Sequence, residues 1–147
     1  MGQLQKYQND FVLLLESGFI AASQTDEDSA LKLFRAAQVL NPEHILPKVG
    51  FGYIHLLKLE LSQACKMFEE VLKVEPSNEM ARALLGLSQA LTIKGVNQGE
   101  KLLEQALKNS GDKTVKNMAS TAIEFVEKFV KKHPTPVQSQ PKKKGTS

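Results

Sequence analysis

The chain has 147 residues, of which 41% are hydrophobic and 24% charged, a composition that predicts one globular domain rather than a disordered segment. Its formal net charge of +3 is unevenly distributed. Residues 1–111 carry 11 Lys and Arg against 13 Asp and Glu, whereas residues 112–147 carry 8 Lys against 3 acidic residues. The body of the chain is therefore slightly acidic, and we expect no nucleic-acid partner.

The sequence also predicts a protein that does not insert into a membrane. The N-terminus is polar, its first apolar run ends at Glu16, and no apolar run approaches the ~18 residues needed to span a bilayer. The single cysteine, Cys65, has no partner for an internal disulfide. We expect it to be a buried thiol in a reducing compartment.

Helix boundaries follow from the local chemistry, taken in chain order. Thr25 and the acidic residues after it predict the start of a helix. The pairs Asn41-Pro42 and Glu75-Pro76 predict helix ends, because the residue before a proline leaves the helical region. Asn78 can cap the next helix, Lys94-Gly95 predicts a helix end, and Asp112 predicts the start of a last helix over about 113–132.

Four residue types recur in the same order at an interval of 34 residues. They are Gly18, Gly52 and Gly86; Ala30 and Ala64; Phe34 and Phe68; Pro42 and Pro76. This order resembles the tetratricopeptide repeat family, with units at about 11–44, 45–78 and 79–111. In the third unit Gly99, Leu103 and Ala106 keep the spacing but lie one residue late, and no proline closes it.

The resemblance implies an all-α fold, a right-handed superhelix of three helical hairpins followed by a C-terminal capping helix. The repeat domain would cover residues 1–133, and the Lys-rich residues 134–147 are expected to be disordered. Gly18, Gly52 and Gly86 would let the two helices of each hairpin approach closely. Gly50 falls outside the repeat, and the sequence offers no reason for it.

The first helix of each unit carries a second apolar stripe, which predicts a binding surface. In the family that this chain resembles, these positions line the concave face. The predicted groove consists of Val12, Leu15, Phe19, Leu46, Val49, Tyr53, Leu56, Leu57, Met80, Ala83, Leu87 and Leu91. Because these side chains are apolar, the groove favours an amphipathic helix over a charged C-terminal carboxylate. Alternatively, the chain's own N-terminal segment or last helix fills this face.

A small three-repeat protein with an apolar groove resembles the tetratricopeptide chaperones of bacterial type III secretion, most of all those of the needle subunit. This resemblance implies a cytoplasmic protein whose groove holds an amphipathic helix of a self-assembling secreted subunit, usually with a small second chaperone. Chaperones of secretion translocators are one alternative. A scaffold or adaptor that uses its convex face or Lys-rich tail is another.

The sequence predicts neither an enzyme nor a cofactor. His44, His55 and His133 form no metal-binding spacing with Cys65. Gly50 and Gly52 lie within a predicted helix with no strand before them, which argues against a phosphate-binding loop.

Overall fold

The computed structural model describes residues 2–131, and this part of the chain is all helical. Seven α-helices follow one another: α1 Gly2–Ser23, α2 Glu27–Leu40, α3 Leu46–Leu57, α4 Leu61–Val74, α5 Glu79–Ala90, α6 Val96–Asn109 and α7 Lys113–Phe125. A six-residue π-helical segment, Val126–Lys131, continues from α7. The predicted tail 134–147 and His133 lie outside the described residues.

The helices pair as three consecutive antiparallel hairpins, α1–α2, α3–α4 and α5–α6. The first helices of successive hairpins contact each other, α1 with α3 and α3 with α5, and α7 continues this row by packing on α5 and α6. Three apolar core clusters follow one another along the stack, each combining residues of adjacent helices. The all-α class predicted from the sequence is confirmed, and the pairing of the helices is consistent with a helical-repeat fold.

Buried aromatic side chains set the distance between the helices of the first two hairpins. A Cβ on Gly18 would lie 2.6 Å from the ring of Phe34, and a Cβ on Gly52 would lie 2.6 Å from the ring of Phe68. Both rings are fully buried. The predicted role of these glycines is confirmed: each gives a phenylalanine ring the space that a side chain would take.

The third hairpin brings its helices together differently. A Cβ on Gly86 would lie 2.8 Å from the carbonyl oxygen of Gly99 and 3.0 Å from Leu103. Here two glycines face each other, so that the backbones of α5 and α6 approach directly. The one-residue offset of the third unit thus coincides with a closer type of helix contact.

The predicted boundaries at the prolines and at two caps are confirmed. Helices α2 and α4 end at Leu40 and Val74, directly before Asn41-Pro42 and Glu75-Pro76. The Asn78 side chain accepts a hydrogen bond from the Ala81 N–H at 2.9 Å, and Asp112 accepts one from the Thr114 N–H at 2.8 Å. These side chains satisfy N–H groups that the first turn of a helix leaves free.

Two boundary predictions were wrong. The cap of α2 is Asp26, which accepts a hydrogen bond from the Ser29 N–H, whereas Thr25 adopts a left-handed φ of 62° in the turn before it. Helix α5 already ends at Ala90, and Gly95 precedes α6 instead of closing α5. In the first two hairpins a three-residue turn joins the helices, whereas residues 91–95 form a longer connection.

The left-handed turn residue follows the 34-residue period. Leu59 occupies the position of Thr25 one unit later and has a φ of 59°. A leucine is a poor residue for this conformation, because its Cβ is crowded by the backbone. Its side chain is largely exposed next to the first helices of the stack.

Candidate binding groove

An apolar groove lies between α3 and α7, and α5 forms its floor. It consists of two compartments that share Tyr53, Leu84 and Met118. The first compartment has a volume of about 440 Å³ and is also lined by Phe19, Ser23, Leu46, Val49, Met80, Asp112, Thr114 and Val115. The second has a volume of about 680 Å³ and is also lined by Leu56, Leu57, Leu59, Leu87, Leu91, Asn117, Thr121, Ala122 and Phe125.

The order of the lining residues shows how the groove runs. In the first compartment α3, α5 and α7 contribute their early residues, and in the second they contribute their late residues. The three helices therefore run in the same direction along the groove, from the end near Asp112 to the end near Phe125. At 1.5 Å per residue, the twelve or thirteen residues of each helix give a groove of roughly 18–20 Å.

The groove is almost free of charge. Its one ionisable carboxylate, Asp112, caps α7 and already accepts a hydrogen bond from the Thr114 N–H. The hydroxyl groups of Tyr53 and Ser23 lie 2.9 Å apart and satisfy each other, and Tyr53 also packs against Phe19 with ring centroids 5.7 Å apart. The groove thus presents a hydrocarbon surface with few groups that need a polar partner.

Part of this lining is exposed to solvent. Leu57 is 45% exposed and Phe125 is 43% exposed, on opposite walls of the second compartment. Leu59, which the left-handed turn holds beside them, is 69% exposed. The second compartment therefore has an open rim of large apolar side chains, which is unusual for a surface that stays in water.

An ion-pair network holds the turn at this rim. The ammonium group of Lys58 lies 3.0 Å from a carboxylate oxygen of Glu27 and 3.0 Å from one of Glu60. Hydrogen bonding from Lys58 lowers the pKa of Glu60 and, in return, raises the pKa of Lys58. The network connects the first hairpin to the turn that carries Leu59.

The structure places eleven of the twelve predicted groove residues on cavity surfaces, though not all on one. Nine line the two compartments: Phe19, Leu46, Val49, Tyr53, Leu56, Leu57, Met80, Leu87 and Leu91. Val12 and Leu15 instead line a separate recess of about 620 Å³ between the start of α1 and the α2–α3 turn. Ala83 does not line the groove, because it is fully buried against the core beneath α7.

The prediction missed one wall of the groove. Helix α7 contributes Val115, Met118 and Ala122, whose apolar spacing predicts a capping helix, and also the exposed Phe125. The spacing of Met118, Thr121, Ala122 and Phe125 on one helix face is the signal that locates this wall. The last helix thus forms a wall of the groove without filling it.

Cys65 is partly buried, rather than fully buried as predicted, and packs at the edge of the second core cluster. Burial, with a smaller contribution from the charge of Glu69, raises the pKa of its thiol. No group of three or more His, Cys, Asp or Glu side chains that could hold a metal ion occurs within residues 2–131. Over the same residues, no helix combines the length and the apolar character needed to cross a bilayer.

Stacked helical hairpins with an open apolar groove define a helical-repeat protein, a class that uses extended concave surfaces to bind other proteins. No family model matches the chain. A stretch of 76 residues is 28% identical to "Uncharacterized protein ycf37" of Cyanophora paradoxa. The match covers 52% of this chain and 44% of that protein, so it spans less than half the length of this relative.

Proposed function

We propose that the protein is a non-catalytic chaperone that holds an amphipathic helix of a client protein in the groove between α3 and α7. The observation that carries this proposal is the open, nearly uncharged lining, with Leu57, Leu59 and Phe125 exposed at its rim. An exposed apolar surface of this kind is a liability unless a partner covers it. A helix suits the groove, because a helix satisfies its own backbone polar groups when one face is buried.

We further propose that the hairpins form a right-handed tetratricopeptide superhelix and that the protein is a cytoplasmic type III secretion chaperone of the needle-subunit kind. The 34-residue repeat and the three hairpins favour the superhelix, and the secretion role follows from the resemblance in size, repeat number and groove chemistry. On this proposal the client is a self-assembling secreted subunit, joined by a small co-chaperone. On the same proposal the protein binds no nucleic acid and does not insert into a membrane. A translocator chaperone is the closest alternative.

The capture of the client from the native host tests the proposal. Leu57→Glu places a carboxylate at the groove rim, and we expect it to abolish co-purification of a small helical protein identified by mass spectrometry. Ile93→Glu is the matched control, since Ile93 is 92% exposed and lies outside the groove lining. Equal capture by both variants, each with wild-type helical content and melting temperature, would contradict a groove-bound client.

A second candidate, an adaptor within a larger assembly, is favoured by the outer side of the first hairpin. There Leu13 and Val39 are 61% and 78% exposed and line a recess of about 600 Å³ with Leu14, Ala36 and Leu40. An adaptor predicts that Val39→Glu, or deletion of residues 134–147, removes the partner. The chaperone proposal predicts that both variants keep the client.

A further inference from the structure

The inference concerns which helix the groove accepts, and it rests on the proposed function. Tyr53, Leu84 and Met118 belong to both compartments, so they mark the boundary between them. The other lining residues fall on one side or the other of this boundary. An occupant therefore meets two separate apolar sites along one line.

The distance between the two sites follows from the helices that line them. On α7 the first compartment is lined between Asp112 and Met118, and the second between Asn117 and Phe125. The centres of these stretches lie about six residues apart, or roughly 9 Å along the axis at 1.5 Å per residue, and the same-face spacing of a helix nearest to this is seven residues. The residues of α3 give a similar offset. On a bound helix, side chains at i and i+7 have this separation and share one face.

The direction of the occupant follows from the electrostatics of the walls. Because α3, α5 and α7 run the same way, their positive N-terminal ends lie together at the first compartment. The negative C-terminal ends of α3 and α5 lie together at the second, whereas α7 continues into the π-helical segment Val126–Lys131. A bound helix that runs antiparallel to them places its own positive end beside the two negative ends of α3 and α5. The carboxylate of Asp112 offsets part of the positive charge at the first compartment, so the preference for this direction rests on the C-terminal ends of α3 and α5.

We propose that the groove binds one client helix antiparallel to α3, α5 and α7, with two apolar anchor side chains seven residues apart, one in each compartment. A small side chain faces the boundary formed by Tyr53, Leu84 and Met118. The second compartment is the larger and lacks Ser23 and the carboxylate of Asp112. The bulkier anchor therefore belongs to the N-terminal half of the client helix.

Capped Ala-rich peptides of about 16 residues, long enough to populate a helix, serve as probes. Three peptides carry two leucines on one face, spaced by four, seven or eleven residues. We expect the seven-residue spacing to bind about tenfold or more tightly than the others, because only it fills both compartments. Comparable affinities for all three, or no binding by the seven-residue peptide, would overturn the two-anchor model.

The same peptide, with a nitroxide at one end or the other, tests the direction by NMR. A label at the N-terminus should broaden the methyl signals of Leu57 and Leu91, and a label at the C-terminus those of Leu46 and Met80. The reverse pattern overturns the antiparallel orientation. Changes of these signals on dilution of the protein alone, or on deletion of residues 134–147, would show that a second copy or the tail occupies the groove and would also overturn the proposal.

These outcomes are distinguishable from failure of the proposed function. If Leu57→Glu loses the native client but peptide spacing has no effect, the chaperone proposal stands and the two-anchor model falls. If the seven-residue peptide binds as expected but Leu57→Glu retains the native client, the groove geometry stands and the client is bound elsewhere.

Discussion

Phe34 lies directly against Gly50, where a Cβ would be 2.5 Å from the ring. The same ring faces Gly18 across the first hairpin. Phe34 is thus wedged between the helix before it in the chain and the helix after it, and it connects the first hairpin to the second. Gly50, which the 34-residue repeat leaves unexplained, is required by this contact between hairpins.

We expect Gly50→Ala to destabilise the fold by about 1–3 kcal/mol, since overpacking a closed core forces side chains and backbone to shift. Its helix propensity alone would change stability by about 1 kcal/mol in the opposite direction. Urea unfolding measures the net effect. Gly111→Ala is the control, because a Cβ there meets nothing within 4 Å.

Replacement of the Phe34 ring tests whether Gly50→Ala destabilises the fold through a clash with that ring or through a general effect on α3. In a Gly50→Ala, Phe34→Leu double variant, the smaller side chain leaves room for the new methyl group. We expect the two changes to be less than additive, because the residues are in contact. Strict additivity would show that Phe34 does not limit position 50.

Leu59→Gly should stabilise the protein and weaken its groove. The left-handed φ of 59° disfavours leucine, so glycine should add about 1 kcal/mol of stability, while an apolar side chain is lost from the second compartment. Thermal unfolding and affinity for the seven-residue-spaced peptide test the two effects. Thr25→Gly is the matched control, since Thr25 has the same left-handed conformation but does not line the groove. It should gain stability without losing affinity.

The contribution of Asp26 to stability should depend on pH. Hydrogen bonds from Ser29 hold the pKa of Asp26 below its ordinary value of 3.8. A carboxyl group whose pKa is lower in the folded state stabilises the fold above its unfolded pKa, and this contribution is lost as the pH falls through the folded value. We expect the stability difference between wild type and Asp26→Asn to be constant near neutral pH and to shrink below about pH 4. A difference that is flat down to pH 2 would contradict an ionised cap.

Cys65 should react slowly with thiol reagents in the folded protein. Burial raises the pKa of its thiol, so that less of the reactive thiolate is present at a given pH than in an unstructured peptide. The rate with a disulfide reagent should rise on addition of urea and, in the folded state, should reach its half-maximum at a higher pH than a free cysteine does. A folded-state rate equal to that of a free cysteine would contradict this burial.

Much of the fold could be predicted from sequence because its determinants are local or periodic. Asn41 and Glu75 each precede a proline, and the local backbone geometry of such a pair ends the helix. The period of 34 residues locates Gly18, Gly52 and their partner phenylalanines. Thr25 and Gly95 were assigned wrongly, because the choice of cap depends on which residue takes the left-handed turn and on the length of the connection. The turn residue and the length of the connection depend in turn on how the two helices of a hairpin pack against each other.

For a related reason, the sequence predicted the α3 wall and the α5 floor of the groove but not the α7 wall. The stripe on α3 and α5 repeats and is therefore detectable, whereas α7 has no counterpart in the 34-residue pattern. Whether α7 fills the concave face or borders it depends on its packing against α5 and α6. The residue Ala83 shows the same limit: its position in the stripe is regular, but α7 covers it.

The pairing of Gly86 with Gly99 restricts how the units can be exchanged. The first two hairpins use a phenylalanine as a spacer, so grafting one in place of the other preserves the distance between its helices. We expect a copy of either in place of the third to move α6 away from α5, because a ring would enter where two glycines now meet, and α7, which packs on both, to move with it. The contact of Gly86 with Gly99 therefore bears on how far α7 stands from α3, the two walls of the groove.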